Sequence, residues 1–438
     1  MERDEEVSES DSRASGGTSK LPRGKALGLR LGAQVISSLA VADFRILLLG
    51  SIGSFLASQM LFVARSYLAY TLANSAIAVG AVSFAWGLPM VGLSLFGGAI
   101  ADRIDKRRLL IAVQAIMGVA ALLLAMLVAT NRIQVWHLVA SALVEGAALS
   151  FNFPARQAII PQLVGKSKVG NAIALNAVAN NLSRVAGPAL AGTLIGATCF
   201  GMAGTLFLTV GVYCLVVLTV RRLPPVPSDL IGARESILTS VGVGMRFLWR
   251  NPLLLMLMGM AFIPVMFGLS YQALLPVFSS EILALGPEGL GNLYAAAGCG
   301  AVLGSLLVAS FGALDNRSNL LRALGALFGA ALSAFALSRD YWSASALLLL
   351  LGIVGQTYLT VNNALIMTST PPKFHGRMMS IYMLTFSLQP LAALPLGALA
   401  DAIGVSPTLV ISGLVIVAFV ACLAILNPPT SRPAPAAP

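Results

Sequence analysis

The strongest constraint on this chain is a succession of apolar stretches, each long enough to cross a lipid bilayer. A helix that spans the hydrocarbon core needs about 20 mostly apolar residues. Twelve such stretches can be placed, over residues 46–72, 77–99, 109–130, 134–155, 170–196, 199–220, 253–279, 289–311, 320–338, 342–368, 378–398 and 405–426. Composition agrees with this reading. Of 438 residues, 57% are hydrophobic and 10% are charged, against about 25% charged in an ordinary soluble protein. That deficit excludes a soluble enzyme, a disordered protein and a nucleic-acid binder, in spite of a net charge of +11. The four cysteines (Cys199, Cys214, Cys299 and Cys422) have no paired spacing. Free thiols packed among helices are expected, with neither a disulfide framework nor a metal site.

An even number of spans puts both termini on one side, and the basic residues say which. With the N-terminus cytoplasmic, 24 of the 28 Lys and Arg residues fall in cytoplasmic segments. Only Arg132 and Arg339 lie outside, and Arg65 and Arg184 lie within spans. This asymmetry follows the positive-inside rule, and Trp136, Trp249 and Trp342 sit at span ends, as interfacial anchors do. A multi-pass protein of the cell (plasma or inner) membrane is expected. Residues 1–45 read as a flexible cytoplasmic tail with an acidic beginning and no cleavable signal, and residues 428–438 as a disordered tail. Residues 24–42 alternate basic and apolar positions; a surface-lying segment and a plain linker both fit them.

The longest polar interruption runs from Arg221 to Asn251 and opens with Pro224, Pro225 and Pro227, which no spanning helix tolerates. Glu235 to Trp249 reads as a surface helix, with Ile237, Val241, Met245 and Leu248 at helical spacing. Six spans precede the linker and six follow it. The expected organisation is two pseudo-symmetric six-helix bundles, residues 46–222 and 251–427, joined by a cytoplasmic linker at 223–250. Parallel repeats of this kind occur in one large class of transporters.

The loop after span 2 reads Gly98-Ala-Ile-Ala-Asp102-Arg103-Ile-Asp105-Lys106-Arg107-Arg108. Gly-x-x-x-Asp-Arg followed by a basic cluster resembles the loop 2–3 signature of the major facilitator superfamily, with Asp105 where Gly is usual. Asp102 at a helix end can cap a neighbouring helix, and Arg103 and Arg107 can pair with carboxylates or lipid phosphates. The resemblance implies a cytoplasmic gate of Gly98, Asp102, Arg103 and Arg107 that meets Arg377 and the start of span 11 in the outward-facing state. Lys373-Phe-His-Gly-Arg377-Met-Met-Ser380, Asp43-Phe-Arg-Ile-Leu47, Pro154-Ala-Arg-Gln157 and Gly397-Ala-Leu-Ala-Asp401 are similar to the branch of enterobactin and macrolide exporters. Span 5 carries Gly187-Pro188-Ala-Leu-Ala-Gly192, which resembles the span 5 motif of antiporters, with Ser183 in place of one glycine. The implied fold is the all-α major facilitator fold of twelve transmembrane helices.

Ionisable residues deep in a bilayer are costly and therefore point to function. Glu145 in span 4, Arg184 in span 5 and Arg65 in span 1 are the proton-coupling candidates. Glu145 and Arg184 lie at comparable depth and could form a pair whose carboxylate gains and loses a proton. Arg65 could hold an anionic substrate or a gate carboxylate. A static ion pair is the structural alternative for Glu145. Similar exporters tend to have Asp in span 1 where this chain has Ser58, and Ala142 stands before Glu145 where an Arg is usual, so the proton path is not transferable. Apolar walls with a few polar groups suit an amphipathic organic molecule; Asn180, Phe267, Tyr271, Gln272, Gln356, Tyr358 and Asn362 are the cavity candidates.

The expected function is a proton-coupled exporter (antiporter) of amphipathic small molecules such as drugs or siderophores, working as a monomer by alternating access. Its partners are then a small-molecule substrate, protons and lipid, with no cofactor and no nucleic acid. An uncoupled facilitator or a lysolipid flippase is the alternative within transport. A membrane-embedded lipid-processing enzyme is the alternative of another class; scattered carboxylates and the lack of a phosphate-binding loop argue against it.

Overall fold

The computed structural model describes residues 37–225, 237–310 and 317–426. Every regular element among them is helical. A helix satisfies its backbone hydrogen bonds within its own segment, which the waterless bilayer core demands. The elements are α1 (Ala42–Ala73), α2 (Ala76–Arg103), α3 (Lys106–Ala129), α4 (Val135–Val164), α5 (Val169–Gly196), α6 (Gly201–Val220) and the short α7 (Ile237–Trp249). They continue as α8 (Pro252–Ile263), α9 (Tyr271–Glu281), α10 (Pro287–Ser310), α11 (Arg317–Leu337), α12 (Tyr341–Ser369), α13 (His375–Leu388), α14 (Ala393–Ile403) and α15 (Val405–Leu426).

Eleven segments are long and apolar enough to cross a membrane, with α8–α9 and α13–α14 each counting as one. The remaining one, α5, has 28 residues, but Asn171, Asn176, Asn180, Asn181 and Arg184 make it too polar to qualify on composition. The long apolar run 170–220 divides at 197–200, where Gly201 takes φ 59°. Asp105 caps α3 by accepting from the Arg108 amide at 2.9 Å, and Asp340 caps α12 by accepting from the Ser343 amide at 2.9 Å. The surface helix α7 lies against α13, with Leu248 buried; Glu235, where the sequence places its start, is outside the described residues.

Two spans that read as continuous are broken. Between α8 and α9, Pro264–Gly268 forms a π-helical turn, and between α13 and α14, Gln389–Ala392 is a 3-10 turn. Proline explains the first break. Pro264 has no N–H to give to the Met260 carbonyl, and the Tyr358 hydroxyl of α12 donates to that oxygen instead.

Helices α1–α6 pack on one another, as do α8–α15, and two seams join the groups: α5 against α10, and α2 against α14. Helices α1, α3 and α5 start on one side of the molecule, face I, and end on the other, face II. Both seams are tightest towards face II. A methyl group on Gly192 would lie 2.5 Å from the Pro287 carbonyl oxygen, and one on Gly397 would lie 2.6 Å from that of Ala76, so only glycine allows these crossings. Asp401, at the face II end of α14, accepts from the Ala76 and Ile77 amides at 2.6 and 3.1 Å and from the Ser75 hydroxyl. Nearby, the Tyr70 hydroxyl donates to Glu281 at 3.2 Å. The two groups are therefore fastened at face II.

Large apolar side chains such as Leu215, Leu218 and Ile425 are exposed on the outside of the bundle, as lipid contact requires, and Trp136, Trp249 and Trp342 are exposed at helix ends. The four cysteines are free but exposed rather than packed between helices. In a bilayer, exposure to lipid is as favourable for a thiol as burial, which removes the reason to expect them inside.

Candidate functional site

On the face I side of the seams lies a cavity of about 400 Å³ between the two groups of helices. Helix α1 supplies its largest wall, through Ser54, Phe55, Ser58, Gln59, Phe62, Arg65 and Ser66. These residues recur at three- and four-residue spacing and so share one helix face. Ser83 and Trp86 of α2, Glu145, Asn152 and Phe153 of α4, Asn180 and Arg184 of α5, Gln272 of α9, and Gln389 complete the polar and aromatic lining.

Arg65 and Glu145 form an ion pair, with side chains 2% and 1% exposed. Ser58 donates its hydroxyl to the second Glu145 oxygen at 2.7 Å, and Tyr213 of α6 lies beside Ser58 and the pair. A lone charge at mid-bilayer costs roughly 2.5–3.5 kcal/mol or more, and pairing offsets that cost. Ser58 thus stands where similar exporters tend to carry an acid, and here it bonds an acid that arrives from α4.

The expected Glu145–Arg184 pair does not form. Arg65, Glu145 and Arg184 all lie about 12–18 Å from the face II ends of their helices at about 1.5 Å per residue, so depth does not discriminate between partners. Direction around the helix does. The stripe Asn176, Ala179, Ser183, Gly187 and Ala191 of α5 is buried, and α5 packs closely on α1, while Arg184 is accessible and lines the cavity. The span carrying Glu145 also continues to Val164 rather than ending near 155, which places Glu145 nearer to face II than to face I instead of midway.

Arg184 is enclosed by protein, near Tyr271, yet its side chain remains open to the cavity. No carboxylate pairs with it among the described residues. On α4, the buried Arg156 donates to Asn152 at 2.9 Å and to the Ser51 hydroxyl, and lies 5.4 Å from the centre of the Phe55 ring. Gln114 joins Ser54 at 2.9 Å and Asn152 at 3.5 Å in the same polar network.

Of the polar and aromatic residues expected on the cavity wall, Asn180 and Gln272 are there. Tyr271 is buried behind it, with its ring 6.2 Å from that of Phe335. Phe267, in the π-helical turn, packs on the apolar core. Tyr358 and Asn362 are turned towards α8, bonding the carbonyls of Met260 and, at 3.1 Å, Leu257. Gln356 bonds Thr360 within α12 at 3.4 Å. These five residues do not line the cavity. Phe262 borders a separate apolar groove with α13 and α15. Gln59, Trp86 and Gln389, which do line it, were not singled out from sequence. The signals were the small and polar stripe on α1 and the one tryptophan away from a span end.

The glycines of the span 5 motif divide their work. Gly187 meets Gln59 of α1, where an added methyl would come within 2.5 Å of its Cβ, and Pro188 and Gly192 meet Gly291 across the seam. At face I, Arg107 donates to the Arg221 carbonyl within its own group of helices. Arg377 is half-buried, 5.7 Å from the centre of the Phe374 ring. The side chains of Gly98, Asp102 and Arg103 lie outside the described residues. No group of acidic, histidine and cysteine side chains suited to a metal occurs among the described residues.

The family model for transmembrane secretion effectors matches residues 33–434. Among similar proteins, the Staphyloferrin A transporter of Staphylococcus aureus is 25% identical over 78% of this chain and 86% of its own length. The multidrug efflux pump Tap of Mycolicibacterium fortuitum is 24% identical over 76% of this chain and 83% of its own. The enterobactin exporter EntS of Escherichia coli is 28% identical over 77% of this chain and 80% of its own. Two solved structures share the fold. The nucleoside transporter NupG superposes with a TM-score of 0.65 at 14% identity, covering 88% of this chain and 99% of that one. A bacterial homologue of the human lysosomal transporter Spinster, inward-facing and occupied, superposes with 0.68 at 15% identity, covering 90% and 98%.

Proposed function

Because the chain belongs to the transmembrane secretion effectors of the major facilitator superfamily, we propose that it is a secondary exporter of amphipathic small molecules, driven by protons through alternating access. Face I is the cytoplasmic face in this reading, since 23 of the 28 Lys and Arg residues belong to the sequence segments on that side, Arg156 lying within α4 instead. The arrangement described above is then the inward-open one, able to load substrate from the cytoplasm or the inner leaflet. The names of the relatives, which include a multidrug pump and an enterobactin exporter, support outward movement of organic molecules.

The observation that carries the proposal is the buried Arg65–Glu145 pair beside the cavity, bridged by Ser58. A proton arriving on the Glu145 carboxylate removes its charge and releases the Arg65 guanidinium, so proton uptake alters what holds α1 against α4. Ser58 can donate to the ionised carboxylate and accept from the protonated one, so it serves both states. Opening of the face II seams would turn this pair towards the outside, and closing them leaves it buried beside the cavity that faces the cytoplasm. That is the geometry a proton needs to cross without a continuous water path.

The test is proton flux in proteoliposomes, followed with an internal pH dye while lipophilic drugs and siderophores are offered. Wild type and Glu145→Gln are compared. Substrate-dependent proton flux that the substitution abolishes supports antiport. Substrate movement with no proton flux in either protein replaces it with an uncoupled facilitator or flippase.

A further inference from the structure

We infer that the transported molecule is an organic anion, bound through its carboxylate or phosphate-type head by Arg184. The inference rests on the cavity being the transport site, and it names the charge of what that site accepts. Three charged residues line the cavity: Arg65, Glu145 and Arg184. Arg65 and Glu145 cancel each other in their ion pair. Arg184 is left as an uncancelled cation that is open to the cavity, with no carboxylate partner among the described residues. Nearer face I, on α4, the buried Arg156 is a second cation held by neutral groups: Asn152, the Ser51 hydroxyl and the Phe55 ring.

A guanidinium retained at this depth without a counter-charge is costly unless something anionic visits it. Its planar fork suits two oxygens of a carboxylate or phosphate. Asn180 stands one helical turn before Arg184, and Gln272 faces the same space, so both can donate to the remaining oxygens of such a head. Phe55, Phe62 and Trp86 offer the apolar surface for the body of the molecule. The same wall disfavours a cationic amphiphile, which would meet Arg184 without a carboxylate to balance it.

The test is equilibrium binding to the purified full-length protein, with four ligands that share a naphthyl body: 1-naphthylacetate, 1-naphthyl phosphate, 1-naphthylacetamide and 1-naphthylmethylammonium. Removing a hydrogen bond to a charged group typically costs about ten- to hundredfold in affinity. Wild type is expected to bind the two anions at least about tenfold more tightly than the amide, and the ammonium more weakly still. Arg184→Gln is expected to erase that preference, and Arg184→Lys to keep part of it. Thermal unfolding of both variants confirms that they remain folded. A wild type that does not favour the anions over the amide overturns the inference, as does an Arg184→Gln variant that keeps the preference. The measurement uses no proton gradient, so a failure of proton coupling cannot mimic either result.

Discussion

Replacing Asp401 by alanine should unfasten face II. In the structure one carboxylate from α14 satisfies the first amides of α2 across the seam, taking Ala76 N at 2.6 Å, Ile77 N at 3.1 Å and the Ser75 hydroxyl. Exchange of a capping side chain for alanine costs about 0.5–2 kcal/mol, and an acid at a helix N-terminus adds about 0.3–1 kcal/mol when exposed. Asp401 is exposed, so water screens part of this, and a total of about 1–2 kcal/mol is expected. With about 1.4 kcal/mol per factor of ten, the ratio of face II-closed to face II-open molecules falls roughly five- to thirtyfold. The assay is double electron–electron resonance in lipid nanodiscs, on a cysteine-free background with labels at Thr130 and Trp342, which lie at face II in the two groups of helices. The Asp401→Ala variant should gain amplitude at long distance, and Asp401→Asn, which keeps an acceptor without the charge, should fall between it and wild type. An unchanged distance distribution in the alanine variant would refute the reasoning, because water would then replace the carboxylate at no cost.

Two further outcomes follow from named contacts. Arg65→Ala leaves Glu145 buried without its counter-charge, held by the Ser58 hydroxyl alone, and should cost about 3–5 kcal/mol, read as a lowered unfolding temperature; a double variant, Arg65→Met with Glu145→Leu, should recover most of that stability. At the start of α12, the Ser343 hydroxyl and amide hold the Asp340 carboxyl below the ordinary carboxylate range. A depressed carboxyl stabilises above its unfolded value and loses that effect as pH falls through the lowered one. Hydrogen exchange at the Ser343 amide, corrected for intrinsic rate, should therefore stay slow in mild acid and quicken only below the ordinary range.

The spans were legible because hydropathy over some twenty residues is a one-dimensional signal, and the pairings were not because they depend on direction around each helix. Glu145 illustrates the difference. Its depth could be counted along the chain, but Arg65 and Arg184 satisfy that count equally well, and only the packing of α5 on α1 separates them. Tyr358 and Asn362 misled for a related reason. Polar groups in a span can face a cavity or bond a neighbouring backbone: Tyr358 repairs the Met260 carbonyl that Pro264, nearly a hundred residues earlier, leaves without its amide, and Asn362 bonds the Leu257 carbonyl of the same helix. Pro264 and Pro390 themselves marked the interruptions of their spans. The stripe from Ser54 to Ser66 on α1 was likewise readable, since such residues have little reason to recur at helical spacing on a lipid-facing surface.

The polarity of α5 has a consequence for how the protein is made. A segment that carries Arg184 and a row of asparagines partitions poorly into lipid as an isolated helix, since each strongly polar side chain opposes insertion. Its neighbour α6 is among the apolar spans and joins it through only a short turn at 197–200. Insertion together with α6 as a hairpin, against an α1 made earlier, lowers that cost. The helix that brings Arg184 to the cavity therefore depends on its neighbours, α1 above all, for its place in the bilayer.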